Sequence, residues 1–209
     1  GSPSATIDLV RKRPTDQFQA SVEGTVGSWN THRGSFDVGG PLSEDGGLRG
    51  RAVGVLQDGD SYIDRLTQKS QALYGILEAD IGDSSMLTIG GEYQNKECRA
   101  CGYFGAPAYF SDGRPATFDR SFNSATNWSR QDRTRYNGFV SFDHEFENDW
   151  KFNATASYTY EDNDRTYGWF SRNGYADKDT GAGSSLWVAK WPIVTKQASL
   201  DAKISGPVE

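Results

Sequence analysis

No stretch of these 209 residues approaches the ~20 apolar residues that a membrane-spanning helix needs. That excludes helical membrane proteins and leaves barrels, whose strands are only half apolar. Thiols are nearly absent, with two cysteines, Cys98 and Cys101, in one C-x-x-C. No second pair completes a zinc site, and the two histidines, His32 and His144, fall on distant predicted strands. A thioredoxin-like role lacks its βαβ context, so a loop disulfide in an oxidising compartment is the better reading. No Ser/His/Asp or paired-carboxylate constellation occurs, so nothing points to an enzyme, a resident cofactor or a metal site. Asp162-Asn163-Asp164 lacks the Gly and the terminal Glu of a calcium loop. Cations are outnumbered, 22 against 28 acidic residues, and the net charge of −6 disfavours nucleic acid despite the Arg11-Lys12-Arg13 cluster. No signal peptide precedes Gly1, which for an exported protein implies a missing N-terminus.

What the chain does have is a period of two. Trp150, Phe152, Ala154, Ala156, Tyr158 and Tyr160 alternate with Lys151, Asn153, Thr155, Ser157, Thr159 and Glu161. Alternate side chains of a strand point to opposite faces, so this segment has one apolar and one polar wall. Aromatics at both ends of the apolar wall, with alanines between, are the pattern of a membrane strand. Twelve such residues tilted by ~40° rise ~30 Å, enough for an apolar band ~25 Å tall. The same alternation recurs over 18–26, 33–38, 48–56, 73–81, 87–94, 136–146 and 198–205, which predicts eight strands of one chemical type. Their polar faces all carry charge, which suits a water-filled lumen and not a packed core. Glu23, Asp37, Glu78, Asp80, Glu92, Asp143 and Glu145 point into that lumen.

Connections alternate in length. Pro41–Gly47, Gly82–Ser85 and Glu147–Asp149 are short, whereas Gly59–Ser70, Glu97–Thr134 and Asn163–Val194 are long. Tight periplasmic turns and extended extracellular loops are the habit of outer-membrane barrels. The tip at Trp29–Thr31 is short where a long loop belongs. The two longest loops hold 13 of the 27 aromatics, about twice the density elsewhere, more than an interface girdle needs.

Ahead of the first barrel strand, Gly1–Thr15 reads as a β-prone apolar run, then three cations, then Pro14, which stops a strand. Here the residues reach a resemblance that covers essentially the whole chain. "ATIDLVRKRPT", "GSWNTHRGSFDVGGPLSEDGGLRGRAVGVLQDGDSYID", "YGILEADIGDSSMLTIGGEYQ" and "DRSFNSATNWS", in this order, resemble TonB-dependent siderophore receptors, nearest to the ferric-pyoverdine and ferric-coprogen type.

The resemblance implies an all-β fold, about eight strands of a 22-stranded transmembrane antiparallel barrel preceded by the last strand of a plug. Residues 1–15 would end the plug domain and 16–209 would begin the barrel; "ISGPVE" resembles the start of a periplasmic turn. It implies TonB-dependent uptake of ferric siderophores across a Gram-negative outer membrane. The partners implied are the siderophore, outer-membrane lipid and, through an N-terminal region, the TonB-ExbB-ExbD system. Arg11, Lys12 and Arg13 would face the wall carboxylates Glu23, Asp37, Glu78 and Asp80. Tyr103, Phe104, Trp128, Trp169, Phe170 and Tyr175 would contact the ligand, and Cys98 and Cys101 would form a disulfide. A passive porin, a self-contained eight-stranded barrel and a soluble all-β binding module are the alternatives; composition alone does not choose among them.

Overall fold

The computed structural model describes residues 10–102, 105–170 and 175–207. Its strands are β1 (Gln19–Gly27), β2 (Thr31–Pro41), β3 (Leu48–Asp60), β4 (Thr67–Ile81), β5 (Ser85–Arg99), β6 (Arg130–Glu145), β7 (Lys151–Phe170) and β8 (Leu186–Ser205). They form one antiparallel sheet in sequence order, with β1 and β8 at its two edges. No helix occurs among the described residues. Residues 10–15 form no strand; the remainder of the predicted plug strand lies outside the described residues.

Each predicted strand is found, but the long connections are shorter than the sequence suggested. β4, β5, β6, β7 and β8 run on past the apolar alternation, so the loops shrink to 61–66, 100–129 and 171–185. Antiparallel pairing continues through Asp162–Arg165, Gln131–Arg133 and Trp191–Val194, where hydrophobic patterning has already lapsed. Backbone hydrogen bonding outlasts the membrane there, because water solvates the outer face. The first hairpin is tight for a local reason. Trp29 and Asn30 have φ of 56° and 53°, the paired left-handed conformation of a two-residue turn that matches strand twist.

The sheet has one face of unpartnered apolar side chains. Val22, Leu56, Leu73, Leu77, Ile89, Val140, Leu200 and Ile204 are all exposed. On that face Tyr93, Tyr136 and Tyr160 stand in one register row, with ring centroids 5.2 Å and 6.4 Å apart. Ten residues further along β6 and its turn, Phe146 meets His144 edge-on at 4.4 Å. Ten residues at ~3.3 Å, tilted by ~40°, separate the two aromatic levels by ~25 Å, the height of a barrel's apolar band.

Candidate functional site

The opposite face is identified as the inner one by the leading segment lying on it. Lys12 Nζ is 2.7 Å from Asp37 Oδ2, and Arg13 Nε donates to Glu78 Oε1 at 2.6 Å. The Arg11 guanidinium sits 4.2 Å from the centre of the Phe139 ring. Tyr74 Oη donates to the Lys12 carbonyl, and Arg51 Nη1 to the Arg13 carbonyl. Arg51 also grips both oxygens of Asp37 at 2.8 Å, while Arg49 binds Asp80. Ile76, Phe139 and Glu78 are buried beneath this strap.

Of the carboxylates read from the sequence, Asp37 and Glu78 therefore meet the leading cations. Asp80 is held by Arg49 of the wall, and Glu23 lies exposed on β1. Arg49, Arg51, Tyr74 and Phe139 escaped the sequence reading as wall partners. Their inward parity was legible; the docking of a segment against them was not.

Beyond the membrane band, the inner faces of β7 and β8 carry the most buried aromatic group. Trp169 is 2% and Tyr167 4% exposed, with Ala189 and Cys101 beside them. Trp169 lies 4.4 Å from Trp187 and 6.2 Å from Trp191, centroid to centroid. The spacing follows from strand geometry: Tyr167 and Trp169, like Trp187 and Trp191, are an even number apart and share a face. Cys98 and Cys101 are joined to each other and pack on this cluster with Leu66.

The connection 100–129 is fastened around that bridge. Ala100, at φ 52°, donates its N–H to Ser129 O; Asn123 Nδ2 donates to Ala100 O and to Asp64 O. Arg65 Nη2 donates to the carbonyls of Asn123 and Ala125. Ser129 is fully buried, and its Oγ accepts from Gly168 N at 2.9 Å. In the next loop, Asp177 accepts from the Thr180 hydroxyl and from the N–H groups of Thr180 and Asp179, which holds its carboxyl below the ordinary aspartate range.

The predicted ligand aromatics are thus not one group. Trp169 is in the inner cluster. Trp128 covers Gly168, whose missing Cβ would sit 2.5 Å from the indole. Gly168 has the opposite parity to Tyr167 and Trp169, so Trp128 lies on the outer face, away from them. Tyr175 is exposed in its loop and outside the cluster. Tyr103 and Phe104, and the side chain of Phe170, lie outside the described residues. Trp187, Trp191 and Tyr167 were missed individually, although all three fall in a segment marked by its aromatic density.

An eight-stranded open wall, apolar outside and charged inside, with an ordered platform of loops above one rim, defines an outer-membrane barrel segment. No family model matches the chain. It is 34% identical over 210 residues to the ferripyoverdine receptor of Pseudomonas aeruginosa, across all of this chain and 25% of that one. With the ferric-pyoverdine BN7/BN8 receptor of Pseudomonas putida it shares 35% over 207 residues, 99% of this chain and 25% of that one. The crystal structure of the ferripyoverdine receptor of the Pseudomonas aeruginosa outer membrane, bound to ferripyoverdine, superposes with a TM-score of 0.93 at 34% identity, over all of this chain and 28% of that one. The closed form of the ferric-catecholate import receptor Fiu from E. coli shares the fold, at TM-score 0.83 and 14% identity over 98% of this chain and 31% of that one.

The chain belongs to the TonB-dependent siderophore-receptor family, as a stretch of its barrel wall. Within that family its curated relatives named here are ferripyoverdine receptors, and it spans about a quarter of their length.

Proposed function

We propose that this wall is part of an outer-membrane importer that binds a ferric siderophore outside the cell and passes it inward when the TonB system pulls on a plug. The observation that carries the reading is the pairing of two inner-face features on one wall. Above is an aromatic platform built on Trp169, Trp187 and Trp191, whose flat faces suit a partly apolar chelate. Below, Lys12 and Arg13 strap a leading segment to Asp37 and Glu78, as a plug would be held. The exposed Lys12 makes a modest pair, whereas Arg13 sits on the buried Glu78, which keeps Arg49 3.9 Å away as its cation when the strap is released. An open porin needs no such strap. The relatives are receptors, and the role proposed for this wall is one of binding and passage.

Ferripyoverdine binding to the full-length protein tests the reading, with tryptophan fluorescence as the signal. Trp169→Ala with Trp187→Ala is expected to weaken binding at least tenfold, about 1.4 kcal/mol. Trp128→Ala, on the outer face, is expected to leave the affinity unchanged. Equal affinities in all three proteins, each assembled in the membrane, would move the ligand site off this wall.

A further inference from the structure

The inner wall is sorted by charge along its height. One register row runs Arg33, Gln57, Ser70, Lys96, Arg133, Asn163 from β2 to β7. The row above it runs Gly59, Gln68, Cys98, Gln131, Arg165, Trp191 from β3 to β8. Together these rows place four cations on the inner face and no carboxylate. Two rows below the first, about 13 Å along the strands, the sign inverts: Asp37 and Glu92 share a row with Val53, Tyr74 and Asn137 and no cation. Glu161 reaches up to Arg133 at 2.6 Å, while Lys96 makes no ion pair among the described residues. Three cations, Lys69, Lys96 and Arg133, and one carboxylate, Glu97, line a recess of about 450 Å³ that also includes Ser70 and Cys98 of the disulfide.

We propose that this cationic band is an anion-selecting surface on the ligand's path, which favours octahedral metal chelates of net negative charge over neutral ones. The proposal rests on the reading of this wall as part of a siderophore importer, and it adds the charge class of the cargo. A chelate leaving the tryptophan cluster meets Arg165 and Lys96 and then the Arg133–Glu161 pair, above the level of Asp37 and Glu92. A low-dielectric wall bearing charge of one sign concentrates counter-ions ~10-fold or more. The four cations stand in a chain that is acidic overall, so composition does not account for their placement.

The test measures the local potential directly. A nitroxide is attached at Ser70→Cys in the full-length protein, where Cys98 and Cys101 are bonded to each other, and a second protein carries it at Thr155→Cys near Asp201. Collision rates are recorded with trianionic tris(oxalato)chromate(III), an octahedral tris-chelate, and with a neutral nickel chelate. The anion-to-neutral ratio is expected to be about tenfold higher at position 70 than at 155 and to shrink at high salt. Lys96→Gln with Arg133→Gln should remove most of the difference, whereas Lys96→Arg with Arg133→Lys should keep it. Equal ratios at the two positions would overturn the proposal even if ferripyoverdine binds. A high ratio at 70 in a protein that binds no ferripyoverdine would sustain the charge selection and sink only the siderophore assignment.

Discussion

Arg51 clasps Asp37 from the neighbouring strand through two hydrogen bonds of 2.8 Å and, with its remaining nitrogen, donates to the carbonyl of Arg13. One guanidinium therefore ties β2 to β3 and both to the leading segment. The planar fork makes this possible, and an ammonium could not reproduce it. Arg51→Ala should loosen the segment by about 1–3 kcal/mol, with Arg51→Lys in between. Limited proteolysis of the full-length protein at residues 11–16 reads this directly; identical cleavage rates in all three proteins would show that the strap is held elsewhere.

The two faces of the wall should differ sharply in what they tolerate. Val140 is exposed on the apolar face, and Ser157 is on the inner face of the adjacent strand. Val140→Arg is expected to cost roughly 2–4 kcal/mol of insertion free energy, and Ser157→Arg close to nothing. Denaturant titration in lipid vesicles measures both. Similar losses for the two would contradict the assignment of faces.

Cys98 and Cys101 pack with Leu66 against Tyr167, Trp169 and Trp191, so the bridge is part of the cluster it borders. Purified without reductant, the full-length protein should show no alkylatable thiol. Cys98→Ser with Cys101→Ser should shift tryptophan emission to the red as water reaches Trp169, and accelerate proteolysis within 100–129. An unaltered spectrum would mean that the cluster stands without the bridge.

The 171–185 connection carries a pH dependence of predictable sign. The Asp177 carboxyl is held low by hydrogen bonds from Thr180 and Asp179. A depressed carboxyl stabilises the turn at pH values above the ordinary aspartate range, ~3.9, and the stabilisation is lost as pH falls through the lowered value. The protection of the Thr180 amide, taken relative to its intrinsic exchange rate at each pH, should therefore hold from neutrality down to about pH 4 and fall below it. In Asp177→Asn that protection should not change over the range; a wild-type profile identical to this variant would remove the carboxylate from the turn.

Much of the wall was legible from residue alternation, because membrane strands must put apolar groups on one face and the period of two cannot be satisfied otherwise. β7 and its polar partners Lys151, Asn153 and Thr155 could be read residue by residue. Its last turns, Asp162–Phe170, could not, since outside the lipid either face may be polar and only hydrogen bonding to β8 sustains the strand. The site followed the same division. Aromatic density marked the segment in which the tryptophan cluster lies, but the side on which a ring falls depends on strand parity carried beyond the patterned region. That is why Trp128 was grouped with Trp169, although Gly168 places it on the other face. The charge sorting of Lys96, Arg133 and Arg165 needed the register across six strands, which no single segment contains.

Iron uptake distinguishes energised import through a strapped barrel from passive entry. Cells whose full-length receptor carries this wall should accumulate radiolabelled iron from ferripyoverdine, and a protonophore should abolish accumulation while leaving surface binding intact. Uptake that continues undiminished with the proton gradient collapsed would contradict the account and make this wall part of a passive pore.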